Sequence, residues 1–168
     1  MNKAFLAAAI AASLLAAACS DGGGGSSAGG KAECRPLNLP SLGQAADAMR
    51  REGFDAALGP AAAPVSGSAS GDAVVWKLQG GSAVVTVGRG GTHLNVQMRS
   101  RGEGASEAAV NFWNDDREFS RTYIDEGGEA VLEMDLDFDG GICEENLHAF
   151  FRDCAASIED WLETVPGH

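Results

Sequence analysis

At 168 residues and 45% hydrophobic content, the chain is long enough for one ordinary hydrophobic core and short for two. It carries 12 Lys and Arg against 24 Asp and Glu, a formal charge of −12. Such a surface repels nucleic-acid phosphates and anionic lipid headgroups, so no nucleic-acid partner and no electrostatic docking to a membrane is expected.

The chain opens MNKAFLAAAIAASLLAAACS: Lys3, an apolar stretch over residues 4–18 broken only by Ser13, and small residues before Cys19. A spanning helix needs about 20 apolar residues, so a cleaved export signal over residues 1–18 accounts for the run better than a permanent span. Leu14 and Leu15 followed by Ala16, Ala17, Ala18 and Cys19 resemble the lipobox of bacterial lipoproteins, whose cysteine is diacylated. Cys19 is thus the expected lipidation site. The next residue is Ser20 and not Asp, which resembles the pattern sorted to the outer membrane, so a lipid-anchored envelope protein facing the periplasm is expected. The stretch DGGGGSSAGG then reads as a flexible tether, residues 19–33 in all, ahead of a domain over 34–168.

Ser41 and Gln44 form a capping box, and Leu42, Ala45 and Met49 share one face, which predicts a helix over 41–52 ended by Gly53. Residues 60–72, PAAAPVSGSASGD, are small and aperiodic, a loop. Three strands are predicted over 73–79, 82–87 and 92–99, with Gly80–Gly81 and Arg89-Gly90-Gly91 supplying the turns of an antiparallel meander. Ser106 caps a short helix bearing Ala109, Val110, Phe112 and Trp113. A hairpin follows, 117–125 and 130–138, in which Leu132, Met134, Leu136 and Phe138 alternate with Glu133, Asp135 and Asp137. Leu147, Phe151, Cys154, Ile158, Trp161 and Val165 recur at helical spacing on a terminal helix over 143–165. The order is αβββαββα, an α+β fold with one antiparallel sheet and helices packed on it.

With Cys19 assigned to lipid, Cys34, Cys143 and Cys154 remain in an oxidising compartment. Cys143 and Cys154 stand 11 residues apart on one helix, about 16 Å, too far for a bridge. Cys34 must therefore take part in any disulfide, with Cys143 or with Cys154. Neither CxxC nor paired Cys/His spacing occurs, so no zinc and no redox chemistry is expected.

Residues 111–147, NFWNDDREFSRTYIDEGGEAVLEMDLDFDGGICEENL, resemble the YbjN domain family. The similar segments are N-x-W-N (Asn111, Trp113, Asn114), F-x-R-x-Y-x-D (Phe119, Arg121, Tyr123, Asp125), a glycine turn, L-E-M-D-x-D (Leu132 to Asp135, and Asp137), Gly140–Gly141, and E-N-L (Glu145 to Leu147). With the upstream elements in the same order, the resemblance covers residues 41–165. It implies a bacterial sensory transduction regulator whose fold is similar to type III secretion chaperones, proteins that bind partner proteins and peptides. No catalytic residues and no cofactor come with it. Two positions depart from the pattern: Cys143 stands where a Thr or Ser helix cap is usual, and Cys154 where a large apolar residue is common.

DLDFDGGICEEN, residues 135–146, has the cadence of a calcium loop, with Asp135, Asp137 and Asp139 at positions one, three and five. Three things oppose it. Position twelve is Asn146 where a bidentate Glu is needed, the entering segment alternates as a strand and not a helix, and Asp135 and Asp137 then lie about 7 Å apart on a strand face. The serines of VSGSASG form no Gly-x-Ser-x-Gly elbow for hydrolase chemistry, and His93 and His148 read as surface histidines. The aromatic residues Trp76, Trp113, Phe119, Tyr123 and Trp161 are most simply core, with Phe112 and Trp113 the candidate contact for a partner or a second copy in a homodimer.

The expectation is a non-enzymatic envelope lipoprotein that binds a protein or peptide partner in a regulatory or chaperone-like role and touches the membrane only through its lipid. The alternatives are a structural or stress-related envelope protein without a dedicated ligand, and a calcium-responsive module.

Overall fold

In the computed structural model, residues 34–37, 40–60, 71–78, 81–88, 90–100 and 105–165 are described, and they lie in one unit that begins at Glu33. Residues 1–33, and with them the expected lipidation site Cys19, fall outside the described residues.

Helix starts are set by side chains that satisfy the first free amides. Ser41 accepts from Gln44 N–H at 3.2 Å while the Gln44 side chain accepts from Ser41 N–H at 2.9 Å, and this capping box opens α1, Leu42–Arg51. Ser106 accepts from Ala109 N–H at 3.1 Å to open α2, Glu107–Asp116. At α3, Glu144–Thr164, the cap residue Cys143 makes no side-chain bond. Instead Glu144 N–H donates to the Arg35 carbonyl at 2.9 Å, because the two-residue strand β1, Pro36–Leu37, pairs with β8, Ile142–Cys143, just ahead of the helix. A neighbouring strand thus stands in for a capping side chain, and the Cys34–Cys143 disulfide holds that strand in place.

The main sheet has six strands: β2 Asp55–Pro60, β3 Asp72–Leu78, β4 Gly81–Val87, β5 His93–Arg99, β6 Arg121–Ile124 and β7 Ala130–Asp137. Their order is β2-β3-β4-β5-β7-β6, every neighbour antiparallel. The predicted αβββαββα sequence of elements is present, with β2 and the β1–β8 pair in addition. Along β3, Val74 and Trp76 point to the helices. Val85, Val96, Met98, Leu132 and Met134 do so from the next strands, and the helices supply Met49, Val110, Trp113, Leu147, Phe151, Ile158 and Trp161 to the same core. Trp161 crosses from α3 to the far edge of the sheet, where its Nε1–H donates to Thr122 Oγ1 at 3.0 Å; that hydroxyl donates in turn to Val131 O at 2.8 Å. A buried indole thereby meets the partner its N–H requires.

The hairpin turn at 88–93 is tight. Gly88 N–H donates to His93 O, and a Cβ on Gly88 would lie 1.7 Å from the His93 ring, so only glycine fits beneath that ring. Gly90 and Gly91 both take positive φ, 100° and 75°, as a turn and not as a phosphate cradle.

Candidate functional site

Period-two alternation along β7 separates two surfaces. On the face away from the helices, Glu133, Asp135 and Asp137 lie directly opposite Gln97, Asn95 and His93 of β5. Glu133 is the hub of this face, only 6% exposed. It accepts from Gln97 Nε2 at 2.5 Å, from Arg121 Nε at 2.7 Å and Nη2 at 2.5 Å, and from the Tyr123 hydroxyl at 3.0 Å. The carboxylate raises the Arg121 pKa, chiefly by that hydrogen bond, while burial, then the bond to Glu133, raises the Tyr123 phenol. One rung along, Asn95 Nδ2 donates to Asp135 Oδ1 at 2.8 Å, whereas buried Asn95 Oδ1 has no partner among the described residues. Arg121, Tyr123, Glu133 and Asp135 of the YbjN-like segment therefore form one connected network. A hub carboxylate with four donors on it is fully committed, which suits a rigid scaffold better than a base or nucleophile.

The second surface comes from the unequal lengths of β6 and β7. Bonds from Ser100 N–H to Ala130 O and from Phe138 N–H to Thr92 O, both 2.9 Å, fix the phase of the β5–β7 ladder. By antiparallel alternation, even-numbered residues of β7 bond to β5, and the odd-numbered Val131, Glu133, Asp135 and Asp137 direct N–H and C=O the other way. β6 meets the first two opposite Tyr123 and Arg121 and then ends. Asp135 and Asp137 are left with main-chain groups facing no strand among the described residues. Where β6 would have continued, Phe119 turns the chain out of the sheet at φ 61°, the one positive-φ residue other than glycine among those described, with its side chain 92% exposed.

Beside this free edge runs a groove of about 420 Å³, lined mainly by apolar groups of Phe119, Met134, Leu136, Ala149, Phe150 and Cys154, with Glu118, Asp135 and Asp153 at its acidic margin. Strand β7 and helix α3 form its two walls.

Of the residues marked out by sequence, Trp113 follows its core reading and not the alternative of a partner contact. It is 1% exposed, donates from Nε1 to Ser120 Oγ at 3.1 Å and carries Arg117 stacked 5.3 Å over its ring, so it is core and no partner contact. Phe112, one residue round the helix, is 59% exposed, and the pair forms no joint patch. Phe119, expected in the core, is corrected, for the backbone turn just described carries it outward. Cys34 is bonded to Cys143, while Cys154 is a buried free thiol on the core side of α3, its pKa pushed up by burial and then by Asp153. The calcium candidates do not converge: Asp135 is held by Asn95, and Asp137 Oδ1 accepts from Asp139 N–H at 2.9 Å in a turn. Among the described residues no group of three His, Cys, Asp or Glu is arranged to hold a metal ion. His148 is not a free surface residue. Its Nδ1 lies 2.7 Å from Glu52 Oε1, which also accepts from Arg152 at 3.1 Å, and these bonds tie the end of α1 to α3.

Six antiparallel strands under helices on one face define the class, an α+β layered domain. Its family is shown by the YbjN family model, described as "Putative bacterial sensory transduction regulator", which matches residues 46–166. The chain belongs to the YbjN family, which is not a known enzyme family. No curated protein and no solved structure matches the chain.

Proposed function

We propose that this protein is a non-enzymatic regulator of the bacterial cell envelope that binds a protein or peptide partner. A lipid on Cys19 anchors it, and the Gly/Ser tether keeps it within reach of the membrane surface, on the outer membrane facing the periplasm. The observation that carries the binding reading is the unpaired edge of β7 at Asp135 and Asp137 beside an apolar groove. Exposed apolar surface next to free strand hydrogen-bonding groups is where proteins capture extended segments of others. The disulfide between Cys34 and Cys143 agrees with an oxidising compartment.

The test combines photocrosslinking with fractionation. A photoreactive amino acid at Phe119, and separately at Phe112, is crosslinked in intact cells with and without added calcium. One defined protein trapped from Phe119 in both conditions supports a regulator with a dedicated partner. No adduct from either position favours a structural envelope protein, and an adduct seen only with calcium favours the calcium-responsive alternative. In parallel, Cys19→Ala is expected to leave the membrane fraction; if it stays, the lipid anchor is wrong.

A further inference from the structure

We infer that the groove beside β7 binds an extended peptide with a basic–apolar–basic core, added as a short antiparallel strand opposite Asp135, Leu136 and Asp137. This rests on the partner-binding reading and specifies its chemistry. Continuing the β6–β7 register beyond Arg121 and Glu133, a strand in the vacant place would exchange main-chain bonds with Asp135 and Asp137. The peptide residues opposite those two would share their face, away from the helices, and the residue between would point to the helix side. On that side it would meet Leu136, Phe150 and Phe119, an apolar wall.

Charge decides the flanking residues. Asp135 and Asp137 stand on the face the flanking residues share, with His93 of β5 across from Asp137, and Glu118 and Asp153 add two more carboxylates at the groove, which no Lys, Arg or His lines among the described residues. Among the described residues the cation nearest Asp135, Arg121 Nη2, is 4.0 Å away and already bonded to Glu133. An acidic or neutral polar segment would gain the main-chain bonds but would meet like charge or leave the carboxylates uncompensated, whereas Lys or Arg at both flanking positions complements them. The same acidity disfavours a second copy of this chain as the occupant, since pairing two β7 edges would set Asp135 and Asp137 against themselves.

The experiment uses the full-length protein in detergent and a blocked nine-residue peptide alternating lysine and valine, with binding read by fluorescence anisotropy and by amide exchange at Asp135 and Asp137. Saturable binding that slows exchange at those two amides is expected. Three changes are each expected to weaken it at least tenfold: N-methylation of the lysines, glutamate in place of lysine, and Ala149→Arg, whose unchanged melting temperature would show that the fold is intact. Undiminished binding of the N-methylated peptide, or of a scrambled peptide of the same composition, overturns strand addition. Absence of binding overturns the peptide chemistry. So does self-association that Ala149→Arg abolishes but the peptide does not compete with, because the occupant is then a second copy. A cellular partner trapped from Phe112 while the groove stays empty keeps the regulatory reading and overturns this one.

Discussion

Phe119 is the residue that would face Asp135 across the β6–β7 ladder, two places before the Arg121–Glu133 pair, and it does not. Its φ of 61° breaks the strand there, so β7 outlasts its partner by one half of its length. The same backbone turn opens the sheet edge and places an aromatic ring in water at the mouth of the groove.

Relieving that turn is the first prediction. A bulky residue in the left-handed region costs on the order of 1–2 kcal/mol, and an exposed ring offers little burial in return. Phe119→Gly is expected to match or exceed the wild type by up to about 1 kcal/mol, and β-branched Phe119→Val to lose about 1–2 kcal/mol. Urea unfolding measures both. A glycine variant weaker by more than about 1 kcal/mol would mean that the ring packs more than its exposure implies.

The two aromatic neighbours on α2 give a sharper contrast. Trp113→Ala leaves a cavity under α2 and orphans Ser120, and is expected to cost about 3–5 kcal/mol. Phe112→Ala, on the solvent side, is expected to stay within about 0.5 kcal/mol. Equal losses on thermal melting would contradict the placement of Trp113 in the core.

Glu133 should behave as a structural hub. Removing it by Glu133→Ala leaves buried Gln97 and half-buried Tyr123 without their acceptor, while Arg121, mostly in solvent, can return to water. A loss of about 1–3 kcal/mol is expected, less for Glu133→Gln, which keeps one acceptor oxygen. If chemical denaturation finds Glu133→Ala neutral, the network is only a surface arrangement.

Alternation in residues 130–138 and the four-and-three spacing of the last helix made β7 and α3 legible, because each buries one face and pattern follows burial. β2 was not legible. Asp55–Pro60 buries only Ala56, contains Gly59 and Pro60, and is a strand because β3 lies beside it, not because of its own residues. The groove was illegible for a different reason. Phe119, Arg121 and Tyr123 alternate as strand residues should, and no local signal in that run announces a left-handed residue that stops the strand. Cysteine spacing narrowed the bridge to two partners for Cys34. The choice between them depends on Cys143 standing half-buried beside β1 at the start of α3 while Cys154 faces the core, a matter of helix phase relative to the sheet.

The disulfide joins residues 109 positions apart and holds β1 against the start of α3. Closing so long a loop restricts the unfolded chain, and reduction is expected to cost about 2–5 kcal/mol. Cys34→Ser should lose as much and become insensitive to reductant. Cys154, buried and with its thiol pKa pushed up, should resist alkylation until the protein unfolds. Modification of Cys154 under native conditions would place it outside the core.

Acid should weaken the fold through two carboxylates. Asp125 is held below the usual range mainly by the N–H of Glu129, with help from Gly127 N–H and Arg99, and Glu52 is held down by Arg152 and then His148. A carboxyl with a depressed pKa in the folded state binds its proton more readily when unfolded. Its contribution is therefore present above the ordinary carboxylate value of about 4 and is lost as pH falls from there through the lower folded value. Melting temperature is expected to hold between pH 7 and 5 and to decline below about pH 4. Asp125→Asn keeps the oxygen that accepts from the Gly127 and Glu129 amides but removes the charge that Arg99 meets. It should be less stable than wild type at pH 7, and the gap should narrow as pH falls from the ordinary carboxylate value toward pH 3 and the wild-type carboxyl begins to take up its proton. A gap between the two proteins that stays constant from pH 7 to pH 3 would show that Asp125 works through geometry alone.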